Sequence, residues 1–214
     1  MTSNLLYKEL RLAAHPNLFV FSLLGVLVIV PAYPYGMVFI FGCLAPYITF
    51  TYGRETNDIY YTALLPVKKR DIVKGKFMLV VLAQAASLLI SLPFAFLRVI
   101  ILPGGNPAGI EANVAFYGFG LMVYALFNMI FMTAFFKTAY KAGRAFLLAM
   151  MPITLLVIAM EVLAHIPSLQ WMDSVAAGDL LLQLPILLVG LVAYGVGTAV
   201  AYGISARRFE RVDL

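Results

Sequence analysis

A run of 42 residues without a charged side chain, from Leu12 to Gly53, constrains this chain more than any other feature. A helix needs about 20 mostly apolar residues to cross a bilayer, so the run is long enough for two crossings. The segment Pro31-Ala-Tyr-Pro-Tyr-Gly36 divides it with prolines, which remove backbone donors, and tyrosines, which suit a membrane interface. We therefore predict a hairpin of two spans, 17–32 and 36–52.

Later uncharged windows predict the remaining spans. These windows are Phe77–Leu97, Ala112–Phe136, Ala145–Met160 and Leu180–Ala206. They predict spans over 77–101, 113–136, 145–165 and 181–205. Apolar residues make up 63% of the chain, against about 45–50% in soluble domains. The expected fold class is an all-α polytopic membrane protein with six transmembrane helices in one domain, 1–214. This composition excludes a soluble globule, a disordered chain and a nucleic-acid-binding domain.

The positions of lysine and arginine predict the orientation, because cytoplasmic connections carry an excess of these residues. All but one of the 15 basic residues fall in the terminal segments or in the connections after the second and fourth spans. The exception is Arg98. We therefore expect both termini in the cytoplasm, and the net charge of +5 gives no evidence for a nucleic-acid partner.

The N-terminal segment predicts an amphipathic helix over 2–15 that lies in the headgroup layer. Its apolar stripe comprises Leu5, Leu6, Leu10 and Ala13, and its other face carries Lys8, Arg11 and His15. Pro16 ends it and can open the first span. The alternative interpretation is a simple positively charged flank of that span.

The connection after the second span, 53–76, is predicted to dock on a cytosolic partner. Residues 55–65 are expected to form a helix that Pro66 ends, with Glu55 and Asp58 in its first turn, where the helix dipole favours acids. Its apolar side comprises Ile59, Tyr60, Tyr61 and Leu64. Charge, aromatic residues and helix-capping signals coincide here, which favours docking over a solvated connector with a topogenic basic run.

Motifs for catalysis and metal binding are missing from the sequence. Gly75-Lys76 is followed by Phe77 and so does not complete a phosphate-binding loop. The two histidines, His15 and His165, are predicted at opposite membrane faces, and the single cysteine, Cys43, excludes an internal disulfide. We therefore expect no metal site, no ATPase site and no enzymatic activity in this chain.

Two charged residues near the outer ends of spans three and five, Arg98 and Glu161, are expected to form an ion pair. Arg98 could instead pair with Glu111. A metal or proton role for Glu161 and His165, four residues apart on one helix face, is a weaker alternative. Mid-membrane charge is otherwise missing, which disfavours an ion-coupled secondary transporter.

Polar and small residues within the spans have two interpretations each. Gln84, Ser87 and Ser91 share one side of span three, and Asn128 interrupts the apolar span four. They are candidates for lining a substrate path, or for hydrogen bonds to neighbouring helices. Span six carries two small-residue ridges, one of Ala193, Gly197, Ala201 and Ser205 and one of Gly195, Ala199 and Gly203. Such ridges permit close packing within the chain or between subunits.

Several segments resemble the permease subunits of bacterial ABC type-2 exporters. In the first inner loop they are Tyr52-Gly-Arg-Glu55, Tyr61-Thr-Ala-Leu-Leu-Pro-Val67 and Lys69-Arg-Asp-Ile-Val-Lys-Gly-Lys76. The opening Leu6-Tyr-Lys-Glu-Leu-Arg-Leu12 is similar to the elbow helix of the family, and Phe136-Lys-Thr-Ala-Tyr-Lys-Ala-Gly-Arg144 to its second inner loop. The chain also resembles the small permeases of Gram-positive bacteria, including exporters of cytolytic peptides.

This resemblance implies a permease of an ATP-driven exporter in the bacterial plasma membrane. A second permease chain, identical or different, would complete the membrane part. Separate ATP-binding-cassette ATPase subunits would bind ATP and Mg, so this chain would bind no cofactor. The substrate would be apolar or amphipathic, with peptides among the candidates, and would leave the cell by alternating access.

The resemblance also assigns the ATPase contact to the inner loops. The implied contact residues are Arg54, Glu55, Asp58, Tyr60, Tyr61, Lys69, Arg70, Lys141 and Arg144. Glu55 would be the charged anchor and the two tyrosines the apolar contacts. The alternatives are a non-transporting membrane scaffold or immunity protein and, less favoured, a membrane-embedded enzyme.

Overall fold

The computed structural model describes residues 2–102 and 104–213, which are mostly helical and contain no strand. The α-helices are α1 Thr2–Lys8, α2 Pro16–Leu23, α3 Gly36–Glu55, α4 Asp58–Ala63, α5 Lys69–Ile101, α6 Val114–Phe127, α7 Thr133–Phe135, α8 Ala142–Ala164 and α9 Ala177–Glu210. Two π-helical segments, Glu9–Ala13 and Asn128–Met132, continue α1 and join α6 to α7, and 3-10 helices cover Leu24–Ile29 and Pro167–Met172. The all-α fold class is thus confirmed.

Within the described part of the chain, five helices are long and apolar enough to cross a membrane: Gly36–Glu55, Lys69–Ile101, Val114–Phe135, Ala142–Ala164 and Ala177–Glu210. Asn4–Ala13 and Pro16–Ile29 are bent by 91° and add a sixth when they count as one span. The bend falls at Ala14, which has an extended backbone, and Pro16 then starts α2 because proline can open a helix but cannot continue one. The chain is therefore a polytopic membrane protein.

The first span is shorter than the predicted 17–32, because its helix ends at Ile29. Its second half is a 3-10 helix that packs closely on α5. A Cβ added to Gly25 would lie 2.5 Å from the carbonyl oxygen of Ser87. The 3-10 segment rises by about 2.0 Å per residue rather than 1.5 Å, so the 14 residues of Pro16–Ile29 rise by about 24 Å.

The connection predicted over 53–76 is mostly helical, and its boundaries differ from the prediction. The spanning helix α3 continues to Glu55, α4 covers only Asp58–Ala63, and α5 begins at Lys69. Asn57 separates α3 from α4 because its φ of 54° places it in the left-handed region. The prediction that Glu55 lies in a first turn is therefore wrong. It is the last residue of α3, where the helix dipole does not favour an acid.

Burial increases towards α6. In the most apolar part of each span, 67% of the residues of Val114–Phe135 are buried, against 22% for α8 and 11% for α9. One small-residue ridge of α9 faces inwards, since Ala201 and Ser205 are fully buried. A Cβ added to Gly195 of the other ridge would meet no atom within 4 Å. Close packing within the chain thus uses only one ridge.

Backbone contact between α6 and α9 is tightest at two glycines. A Cβ added to Gly118 would lie 2.7 Å from the carbonyl oxygen of Ile186, and one added to Gly190 would overlap the carbonyl oxygen of Gly118. Neither obstacle is a flexible side chain. These two positions therefore determine how closely α9 approaches α6.

We expect Gly190→Ala to destabilise the chain by about 1–3 kcal/mol, the usual cost of overpacking. Gly195→Ala is the matched control and should be neutral or slightly stabilising, because its methyl group enters open space and alanine favours helix. Thermal unfolding in detergent measures both variants. Equal melting temperatures for the two would contradict the packing described here.

Candidate functional site

A cluster of four charged side chains, with Lys76 and Glu9 fully buried at its centre, connects three segments at one end of the bundle. Lys76 Nζ of α5 lies 2.7 Å from Glu9 Oε2 and 2.5 Å from Asp58 Oδ2. Lys8 Nζ lies 2.6 Å from Asp58 Oδ1 and 3.0 Å from Glu9 Oε1. Each carboxylate is thus shared by both lysines, and the four formal charges cancel.

The cluster lies away from water, since Lys76 is 2% exposed and Glu9 is 1% exposed. Burial alone would raise the pKa of Asp58, but the neighbouring Lys76 and Lys8 outweigh burial and hold this pKa below its ordinary value. The stabilisation from Asp58 is therefore complete above the ordinary carboxyl pKa and is lost as the pH falls through the lowered one. At neutral pH the cluster joins α4, α5 and the elbow, which is α1 with Glu9–Ala13.

This arrangement differs from the sequence prediction. Asp58 was expected to contact an ATPase, but its side chain faces inwards. Lys8 of the elbow is directed into the cluster as well, and its side chain is 19% exposed. Sequence analysis did not identify Glu9, although its spacing of four from Leu5 and Ala13 places it on the same buried face.

The opposite face of α4 is exposed and apolar. Its exposed residues are Tyr60 at 47%, Tyr61 at 62%, Leu64 at 67% and Leu65 at 53%, the last two just after the helix. Ile59 and Thr62 face inwards and are buried. A short helix fixed on one side by a buried ion cluster therefore presents two aromatic rings and two leucines on the other side. Contiguous exposed apolar surface of this kind marks interaction sites.

The second inner loop, 136–141, lies beside α4. The Thr138 hydroxyl accepts hydrogen bonds from the backbone N–H groups of Tyr140 and Lys141 at 3.3 and 3.1 Å. The Arg54 guanidinium lies over the Tyr140 ring, 5.4 Å from its centre. A cavity of about 260 Å³ between the two loops is lined by Tyr60 and Tyr140 among others. The two loops thus form one continuous surface, which we call the docking surface: Arg54, Tyr60, Tyr61, Leu64, Leu65 and Tyr140.

The other predicted contact residues have different surroundings. Glu55 is exposed, and its Oε1 lies 3.7 Å from Arg54 Nη2. Lys69 Nζ donates to the Val212 carbonyl at 2.7 Å, and Arg70 Nε lies 2.6 Å from Glu210 Oε1, so both side chains bind the C-terminal segment. Lys141 and Arg144 line a separate cavity. An ATPase contact by these five residues stays a prediction.

The polar residues of spans three and four are buried against each other. Gln84 and Asn128 form a pair of amide hydrogen bonds of 3.0 and 3.1 Å. Further hydrogen bonds join Gln84 to Tyr194, Asn128 to Thr198, Ser87 to Tyr124 and Ser91 to Tyr117. The network connects α5 and α6 with α9. This agrees with the alternative interpretation, in which these residues form hydrogen bonds to neighbouring helices. A role for Gln84, Ser87, Ser91 and Asn128 in lining a path stays a prediction.

At the other end of the bundle, the predicted pair of Arg98 and Glu161 is wrong. Arg98 Nη2 lies 3.3 Å from Glu111 Oε1, the alternative partner. Its guanidinium also donates to the Tyr35 hydroxyl at 2.8 Å. Glu161 instead accepts from the backbone N–H of Ile110 at 2.8 Å. The connecting residues 104–113 lie over the end of α5 and bring Glu111 to Arg98, which the span pattern alone does not reveal.

The long apolar helices define a polytopic membrane protein, and an exposed apolar surface lies beside its buried ion cluster. Residues 4–210 match the family described as ABC-2 family transporter protein, and the chain belongs to this family. Comparison with curated proteins and with solved structures gives no match. The family supports a permease subunit of an ABC transporter that works with an ABC ATPase, which confirms the resemblance at family level.

Removal of the central lysine tests the cluster. Lys76→Met leaves two buried carboxylates with one lysine, and we expect a loss of about 3–5 kcal/mol of stability. Lys74→Met removes an exposed lysine two residues earlier and is the matched control. Thermal unfolding in detergent measures both, and the triple variant Glu9→Gln, Asp58→Asn, Lys76→Met should recover part of the loss. A Lys76→Met variant as stable as the control would contradict the cluster.

Proposed function

We propose that this chain is the permease of an exporter in a bacterial plasma membrane, and that a separate ATP-binding-cassette ATPase binds its docking surface. The exposed apolar face of α4 carries this proposal. Two tyrosines of α4 and two leucines just after it are 47–67% exposed. Exposing a contiguous apolar surface of this kind to water is unfavourable unless a partner covers it. Glu55 and Arg54 at the edge of this surface would supply charged contacts.

The same geometry suggests how force from the ATPase reaches the spans. ATP and Mg would bind in the partner and not in this chain. When the ATPase subunits close on ATP, they would displace α4, and the ion cluster would move the elbow and α5 with it. The buried amide pair of Gln84 and Asn128 would transmit a shift of α5 to the π-helical segment that follows α6. Both termini lie in the cytoplasm in this proposal, in agreement with the basic residues at that end.

An apolar or amphipathic substrate, with peptides among the candidates, fits the surfaces of the bundle. A mostly apolar cavity of about 350 Å³ between α5 and the start of α6 is lined by Leu92, Phe96, Val99 and Tyr117 among others. The outward faces of α8 and α9 are also apolar and leave room for a second permease chain, identical or different.

The docking surface is tested by ATPase binding. We expect Tyr60→Ala with Tyr61→Ala to weaken association with the ATPase at least tenfold, because exposed aromatic residues supply much of the binding energy at such interfaces. Phe19→Ala is the matched control, since Phe19 is also aromatic, is 50% exposed and lies in α2, outside the docking surface and the proposed substrate cavity. Co-purification from native membranes in mild detergent gives the retained fraction of ATPase.

A second variant, Glu55→Lys, tests whether charge at the edge of the docking surface contributes to ATPase binding. It should reduce co-purification less than the double tyrosine variant does. Purified complexes should hydrolyse ATP, and loss of the complex should abolish stimulation by an amphipathic peptide. The proposal fails if no ABC ATPase co-purifies with the wild type. It also fails if the tyrosine variant and the Phe19→Ala control retain equal amounts, an outcome that would favour a non-transporting scaffold.

A further inference from the structure

A cavity of about 420 Å³ lies between α7, the start of α8 and the end of α9, beside the docking surface but separate from it. Four basic residues line it: Lys137, Lys141, Arg144 and Arg208. Ala134 and Leu148 contribute an apolar wall. One loop and three helices thus converge on one concave site with cationic and apolar parts.

The charges around this cavity are not neutralised within the described residues. No carboxylate in 2–102 or 104–213 lies within 4 Å of the side-chain nitrogens of Lys137, Lys141, Arg144 or Arg208. At the same end of the bundle, Arg70 pairs with Glu210, and Lys8 and Lys76 share two carboxylates. The first turn of α8 adds the positive end of a 23-residue helix. Together these groups make a site for an anion.

The donors are suited to a phosphate group. Arg208 Nη1 donates to the Thr133 carbonyl at 2.6 Å, which fixes the guanidinium at the cavity and leaves other N–H groups available. A planar guanidinium matches phosphate oxygens in pairs, and lysine adds compact positive charge. The Thr138 hydroxyl orders the loop that carries Lys137 and Lys141 by accepting two backbone N–H groups.

The apolar wall indicates that the anion belongs to a lipid. Leu148 is 47% exposed, and Leu147 beside it on α8 is 69% exposed, so the wall continues along the outer surface of a spanning helix. A soluble phosphate would use only the basic rim. A phospholipid would place its phosphate on the rim and its acyl chains along α8, where they cover this apolar surface.

We propose that the cavity of Lys137, Lys141, Arg144 and Arg208 binds the headgroup of an anionic phospholipid of the phosphatidylglycerol type. The bound lipid joins the second inner loop to the end of α9. Lys141 and Arg144 then contact lipid rather than an ATPase. This proposal does not rest on the exporter function.

The test uses the purified full chain in a neutral detergent with dioctanoyl-phosphatidylglycerol as the probe. Thermal unfolding should show saturable stabilisation by this lipid and none by dioctanoyl-phosphatidylcholine or inorganic phosphate. Lys141→Gln with Arg144→Gln should weaken binding about 30-fold, since each basic residue near a membrane surface contributes about fivefold. Native mass spectrometry should show the same loss of bound lipid.

Two further variants separate this site from general charge and from misfolding. Lys68→Gln with Lys74→Gln removes two exposed lysines from the same end of the bundle and should bind like the wild type. Lys141→Arg with Arg144→Lys keeps the charge and should retain binding within about threefold. The proposal is overturned if both glutamine pairs weaken binding equally, or if phosphate stabilises as well as the lipid. It is also overturned if the Lys141 and Arg144 glutamine pair keeps its lipid but loses ATPase co-purification.

Discussion

A lysine without access to water determines the organisation of the basic end of this protein. A buried ammonium group is costly unless carboxylates surround it at close range. Lys76 obtains them from two distant parts of the chain, Glu9 of the elbow and Asp58 of α4, and Lys8 completes the neutral cluster. The inward face of α4 is thereby fixed, and its tyrosines and leucines are left facing outwards. The surface that we propose for an ATPase is therefore a consequence of the buried charges behind it.

Much of the architecture follows from local properties of the sequence. Long uncharged windows predict spanning helices because lipid tolerates neither charge nor unpaired backbone groups, and the helical class and the polytopic membrane architecture are confirmed. Pro16 gives the bend between the elbow and α2 for an equally local reason. Motifs of the inner loops led to the permease family, which the match over residues 4–210 supports.

Partners that depend on tertiary contacts could not be predicted in the same way. Arg98 has two candidate acids in the sequence, and only the path of residues 104–113 selects Glu111 over Glu161. The sequence around Asp58 is typical of a surface residue, and only its contacts with Lys8 and Lys76 show that its side chain faces inwards. The predicted helix boundaries were wrong where a single backbone conformation determines them. At Asn57, the left-handed φ separates α3 from α4. In each case, the deciding interaction involves atoms far apart in the chain or a single dihedral angle.

Photocrosslinking from α4 in native membranes tests the central claim most directly. p-Benzoylphenylalanine at position 61 places a reactive ketone on the exposed face of α4, and the same group at position 96 serves as the control near the other end of α5. The account predicts an adduct with an ABC ATPase from position 61 and none from position 96. No ATPase adduct from position 61, or equal adducts from both positions, would contradict the assignment of α4 as the docking helix.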